Sequence, residues 1–276
     1  MSSAEHKKMR TCSVLSPFGG QGKTTVVLLT ARILEQQGYN VLVVDGNPQS
    51  DLSRLLGVIP GRKDDTLLDL IRYDDLAPME VMYPVEGHPN MRVIPATSKL
   101  SEANQYLASL GMGARVLRMR LEPVADIFDV CLIDAPQQDS QLTLTTIGAA
   151  DSLIMPAEAN VKGYQALARA LELYAEQKKL GGTQAELLGV VPFRDVWVGY
   201  NRTKDCQKWI TAMTSLLDGN EELMLPSIRQ SEVIKKAITY QTALEEDENL
   251  RFPFDKIVEK LTHASSTQHP TPVASN

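Results

Sequence analysis

A doubly wound α/β fold, with a mostly parallel sheet and helices on both faces, is what the amino-acid sequence predicts. Three observations carry this expectation. Short apolar runs rich in valine, isoleucine and leucine recur along the chain. Stretches of helical length separate them. The first run leads into a glycine-rich turn that opens a helix. Strands joined by helices imply βαβ crossovers, and hence a parallel sheet buried on both sides.

The elements follow in order. "CSVLS" at 12–16 is a short strand that ends at the turn. Residues 24–40 have helical length, with Gly38 as a C-terminal stop. "VLVVD" at 41–45 reads as a fully buried strand. Further strands are read at 91–96, 129–136, 152–158 and 187–193, and helices at about 98–121, 140–150, 160–179 and 201–217. The segment 60–90, rich in proline, glycine and aspartate, is expected to hold short helices and loops. Residues 1–263 are expected to form one domain, and 264–276 a disordered tail of serine, threonine, proline and alanine.

Composition narrows the function classes. The chain has 276 residues, 43% of them hydrophobic, which is enough for a large core. Its net charge of -6 argues against a general nucleic-acid binder but leaves room for a local basic patch. No apolar run reaches the roughly 18 residues of a membrane span. The polar start has no apolar signal region behind it, so a cytoplasmic protein is expected. Cys12, Cys131 and Cys206 are far apart and form no CxxC pair, which argues against a metal cluster.

The chemistry concentrates in "SPFGGQGKTT" at 16–25. Gly19, Gly20 and Gly22 would let the backbone aim several N–H groups, Gln21's among them, at one anion. The helix that follows adds the positive end of its dipole. Lys23 is placed to bridge β- and γ-phosphates, the Thr24 hydroxyl to bind Mg²⁺ and Thr25 to touch the α-phosphate. Asp45 and Asp134 each end a buried strand, where doubly wound sheets bind ligands.

The stretch from Phe18 to Gly57 resembles the start of the ParA/MinD ATPases, with their deviant KGGxGKT[ST] loop and VDxDPQ segment, here "VVDGNPQ" at 43–49. "DVCLIDAPQQDSQLTLTTIGAADSLIMPAE" at 129–158 is similar to their Walker B region. "LPSIRQSEVI" at 225–234 is similar to their IP-x-x-x-R-x-SEA stretch. The resemblance implies ATP and Mg²⁺ as cofactors, with Asp134 and Asp45 on the metal side. It also implies a homodimer sandwiching two ATP, non-specific double-stranded DNA, and an adaptor of ParB or McdB type.

Two positions depart from that pattern. Asn47 stands where the family has the aspartate that helps activate water. An amide can orient water but takes up no proton at neutral pH. Slow, partner-stimulated hydrolysis is therefore expected. Phe18 stands where the family has a lysine that reaches the partner's phosphates. Lys162, in the turn after the strand 152–158, is the candidate replacement, since the McdA-like subgroup of the family resembles this arrangement. Arg229, Lys235, Lys236, Arg202, Lys204 and Lys208 are the candidates for a DNA face.

A DNA-binding, cargo-positioning ATPase at the nucleoid is the leading reading, the cargo a plasmid or carboxysome. A membrane-cycling MinD-like protein would need a basic amphipathic C-terminal helix, which the tail's composition opposes. An iron–sulfur carrier lacks its paired cysteines. A metabolic ATP-dependent enzyme on the same fold, or a non-enzymatic ATP-binding scaffold, stays open.

Overall fold

A computed structural model gives the fold and describes residues 8–240, 244 and 248–263. Eight strands form one sheet. They are β1 (Arg10–Val14), β2 (Val41–Asp45), β3 (Tyr83–Val85), β4 (His88–Ile94), β5 (Val130–Asp134), β6 (Ser152–Glu158), β7 (Glu186–Asp195) and β10 (Ile228–Arg229). Their order is β10-β7-β6-β1-β5-β2-β4-β3, and every pair is parallel except β3 with β4. The chain moves outward from β1 to β2, then returns past β1 to β6. That reversal opens a crevice at the carboxyl ends of β1, β5 and β6.

Alternation along the strands builds two faces. Val41 and Val43 of β2 pack on α1 (Lys23–Gln36), α9 (Glu232–Tyr240) and α10 (Glu248–His263). Leu42 and Val44 point the other way, towards α3 (Leu67–Arg72), α4 (Ala103–Ser109), α5 (Val116–Leu121) and α6 (Gln141–Ala149). α6 continues on that second face to α7 (Val161–Lys179) and α8 (Lys204–Ser215) around Leu153, Met155 and Val190. The doubly wound expectation holds.

Local chemistry fixes where the helices start. Ser140, Asn160 and Thr203 each accept a backbone N–H from the first turn of α6, α7 and α8. The helix expected over 98–121 is instead broken. Backbone around Gly111–Gly113 leaves the helix, and α4 and α5 are separate short pieces with one 3₁₀ turn, Gly113–Arg115, between them. The helix expected from 201 begins at Lys204. Ahead of it lies a small hairpin of β8 (Trp197–Val198) and β9 (Asn201–Arg202). The segment 60–90 also carries β3, an edge strand that tolerates Pro84. Residues 264–276, expected to be a disordered tail, lie outside the described residues.

Candidate active site

The turn between β1 and α1 wraps the amino end of α1. Gly22 has φ +96°, and a Cβ there would lie 2.6 Å from the Phe193 ring of β7, so both the backbone and the space demand glycine. Gln21 is turned inward. Its Oε1 accepts the Glu158 N–H at 2.9 Å, which ties the loop to the end of β6. The Gln21 side chain is thus a strut, and its backbone N–H is the group expected to face an anion. Lys23 is 4% exposed and donates to the Phe18 carbonyl at 3.3 Å. Burial pushes its pKa down, against the pull of Asp134.

Asp134 and Asp45 are paired across the register of β5 and β2, and both are fully buried. Asp134 Oδ2 accepts the Thr24 hydroxyl at 2.7 Å, while its Oδ1 has no hydrogen-bond partner. Burial first, and the charge of Asp45 second, push the Asp134 pKa up. Asp45 accepts from Ser53 N at 2.9 Å, Ser53 Oγ at 2.6 Å and Asn47 N at 3.1 Å. Burial still lifts it to about 6. Asp45 is therefore the more engaged of the two, and Asp134 the one with an oxygen to spare.

That spare oxygen tests the fit of Mg²⁺. A buried carboxylate oxygen beside a hydroxyl is a hard-donor pair, and Mg²⁺ uses one or two such ligands together with phosphate. No cluster of three or more histidine, cysteine or acidic side chains able to hold a metal occurs among the described residues. A two-ligand phosphate-assisted site does not need one. The glycine cradle fits a phosphate chain in the same way.

Asn47 is buried beside these groups. Gly46 brings it there: a Cβ at 46 would lie 2.8 Å from the Asp134 carbonyl, and Gly46 N–H donates to that carbonyl at 2.9 Å. Asn47 Oδ1 accepts the Gln49 N–H, and its Nδ2 has no hydrogen-bond partner. Thr25 is half-buried in the first turn of α1.

Sequence reasoning missed several residues of this site. Ser53, in the short helix α2 (Asp51–Leu55), orients Asp45. Gln137 lies against Gly19 and bonds Gln49 at 3.1 Å. Its place three residues after Asp134 was the available signal. Phe193 closes on Gly22, and Glu158 pairs with Arg194 at 2.5 Å. Nothing local marks those contacts, because they arise from β6–β7 pairing.

The candidates outside the loop are dispersed. Lys162 is exposed at the second position of α7, just past the end of β6, and forms no ion pair among the described residues. Lys204 and Lys236 are exposed, as is Lys235, which pairs with Glu232 at 2.5 Å. Arg229 stacks on Trp197, its guanidinium carbon 4.1 Å from the ring centre. Lys208 lies over the Trp209 ring. Arg202 must be withdrawn from the DNA candidates. Its Nε binds the buried Asp195 carboxylate, its other nitrogens bond Gln207 and Ser227, and it covers Trp197. A guanidinium so committed has little left for phosphate.

A loop, lysine and hydroxyl set against a strand-end aspartate in a doubly wound sheet define the class of P-loop ATPases. Residues 9–181 match the family model described as an AAA domain. The maintenance of carboxysome distribution protein A of Synechococcus elongatus is 42% identical over 91% of this chain and 98% of its own length. The solved ATP complex of a point variant of Cyanothece McdA is 40% identical, with a TM-score of 0.88 over 92% of this chain and 97% of that one. A cobyrinic acid a,c-diamide synthase from Mycobacterium smegmatis, with bound ATP analogue and magnesium, has a TM-score of 0.74 over 91% of this chain and 93% of its own. At 22% identity it shows the fold alone.

The chain belongs to the family of the maintenance of carboxysome distribution protein A, within the ParA-like ATPases. It is an ATPase, and its Thr24 hydroxyl with the spare Asp134 oxygen fits a Mg²⁺ bound together with phosphate. No helix among the described residues is long and apolar enough to cross a membrane.

Proposed function

We propose that this ATPase dimerises with ATP, binds non-specific DNA in that state, and positions a cargo over the nucleoid. The cargo would be a carboxysome or a plasmid, and an adaptor of McdB or ParB type would stimulate hydrolysis. The name and near-full coverage of the Synechococcus relative favour the carboxysome. The single observation that carries the dimer is Lys162. Two triphosphates facing each other need cationic charge beyond Lys23 and Mg²⁺. Phe18 supplies none, and Lys162, which forms no ion pair among the described residues, lies one turn from Glu158, where Gln21 ties the loop down.

In this reading bound Mg²⁺-ATP supplies the phosphoryl group and the metal charge. The chain's residues do the positioning. Lys23 and the loop N–H groups bind phosphate oxygens, and Thr24 with Asp134 faces the metal. Asn47 orients water without accepting its proton, so turnover is slow. Lys204, Lys235, Lys236 and Arg229 supply the phosphate contacts to DNA. Retention of the purified protein on DNA with ATP, with ADP and without nucleotide tests this. Retention confined to ATP supports it, and equal retention in all three states, or in none, rejects it.

A further inference from the structure

Gln137 stands where three segments of the nucleotide site meet, and none of the roles above uses it. It follows the Asp134 strand, bonds Gln49 in the turn after β2, and lies against Gly19 of the loop. Its own turn is held at both ends. Ala135 N–H donates to the Val14 carbonyl at 3.3 Å, the Thr143 hydroxyl donates to the Gln138 carbonyl, and Ser140 caps α6. The half-buried side chain therefore projects from a fixed base.

The amides around it are spent in a definite order. Asn47 Oδ1 accepts the Gln49 N–H at 3.1 Å, and Gln49 Oε1 accepts from Gln137 Nε2 at 3.1 Å. Two groups are left over, the Asn47 Nδ2 donor and the Gln137 Oε1 acceptor, neither hydrogen-bonded among the described residues. Gln137 Oε1 lies 2.6 Å from the place of a Cβ on Gly19. Gly19, unlike Gly20 and Gly22, has no positive φ, so what glycine supplies there is room for that oxygen. The oxygen also lies at one particular end of the loop. Lys23, read as the bridge between β- and γ-phosphates, donates to the Phe18 carbonyl beside Gly19 at 3.3 Å. The step from Phe18 to Gly19 is then the γ end, and Thr25 the α end.

An attacking water needs an acceptor as well as a donor. One of its protons must be held so that a lone pair faces phosphorus, whereas a donor by itself occupies a lone pair. Asn47 offers its donor, since its oxygen is turned to the Gln49 N–H. The spare Asp134 oxygen faces the metal in the reading above. We propose that Gln137 is a catalytic residue whose Oε1 accepts a hydrogen bond from the attacking water. The water oxygen bonds to the γ-phosphorus as the bond to the β–γ bridging oxygen breaks. The electron pair leaves with ADP, and the water's proton passes to phosphate, the amide taking none. This rests on the reading of Asn47 as an orienting amide and supplies the acceptor that amide lacks.

The test is hydrolysis of γ-labelled ATP by the full chain at saturating Mg²⁺-ATP, with ATP affinity measured beside it. Gln137→Met keeps the length and loses the oxygen. It is expected to lower the rate at least about ten-fold, with ATP affinity within about two-fold of wild type. Gln137→Glu keeps an acceptor oxygen and loses the donor to Gln49. It is expected to hold the rate within about three-fold of wild type. An unchanged rate in Gln137→Met, or a Gln137→Glu as slow as Gln137→Met, would overturn the proposal; the second result would make Gln137 a strut acting through Gln49. A Gln137→Met whose ATP affinity falls with its rate would overturn it too. If Gln137→Met slows hydrolysis while Asn47→Asp leaves it unchanged, the role of Asn47 fails and that of Gln137 stands.

Discussion

Asn47 and the two strand-end aspartates lie buried together at the site, and the proposed chemistry rests on them residue by residue. Asn47 offers a buried amide where a carboxylate would add proton uptake. General-base assistance is commonly worth about 10²-fold or more. Asn47→Asp is therefore expected to raise the basal ATPase rate at least about ten-fold, read by phosphate release in saturating Mg²⁺-ATP. A fast wild type unchanged by the substitution would contradict this role. The aspartates also make stability depend on pH. Burial holds Asp45 at about 6, above the ordinary carboxylate value, and Asp134 is raised by the same cause. A raised folded pKa gives stability that is complete below about pH 4 and lost as pH rises through the folded value. The nucleotide-free protein is expected to lose melting temperature between about pH 5 and pH 7.5, and Asp134→Asn to lose less over the same window. Calorimetry without nucleotide reads both slopes; identical slopes would remove Asp134 from the explanation.

At the scale of elements, the loop depends on a neighbour that is far away in sequence. Phe193 of β7 occupies the space a side chain at Gly22 would need. Gly22→Ala combines a forbidden backbone angle with that clash. It is expected to abolish nucleotide binding, measured by calorimetric titration, and to lower stability by about 1–3 kcal/mol. Wild-type affinity in that variant would show that the loop tolerates a different path. The same contrast explains what was legible. Buried strands and the loop could be read because apolar continuity, Gly-x-Gly-Lys-Thr spacing and strand-end aspartates are local signals. The break at 111–113, the β8–β9 hairpin and α10 escaped notice. The break is a local turn, with a Cβ at Gly113 falling 2.3 Å from the Leu107 carbonyl six residues earlier, and the pair Gly111 and Gly113 was its unread signal. Arg202 was misread for a different reason. A basic residue beside a helix start reads as solvated until Asp195, seven positions earlier, is seen to be buried beneath it.

Across the whole molecule, the sheet order decides which parts act together. β1 lies between β5 and β6, so Asp134 and the turn carrying Lys162 flank one loop from opposite sides. In the proposed reading metal chemistry falls on the β5 side, at Asp134. The β6 side leaves an exposed lysine at the start of α7, where the loop itself carries phenylalanine. Dimer formation should then rest on Lys162, while ATP binding rests on residues 19–25. Sedimentation of the wild type and of Lys162→Ala, each with Mg²⁺-ATP, separates these roles. The wild type is expected to shift from its 30.4 kDa monomer to a dimer, and Lys162→Ala to bind ATP yet stay monomeric. A dimer formed equally well by Lys162→Ala would contradict the proposal that this lysine supplies the charge missing at Phe18.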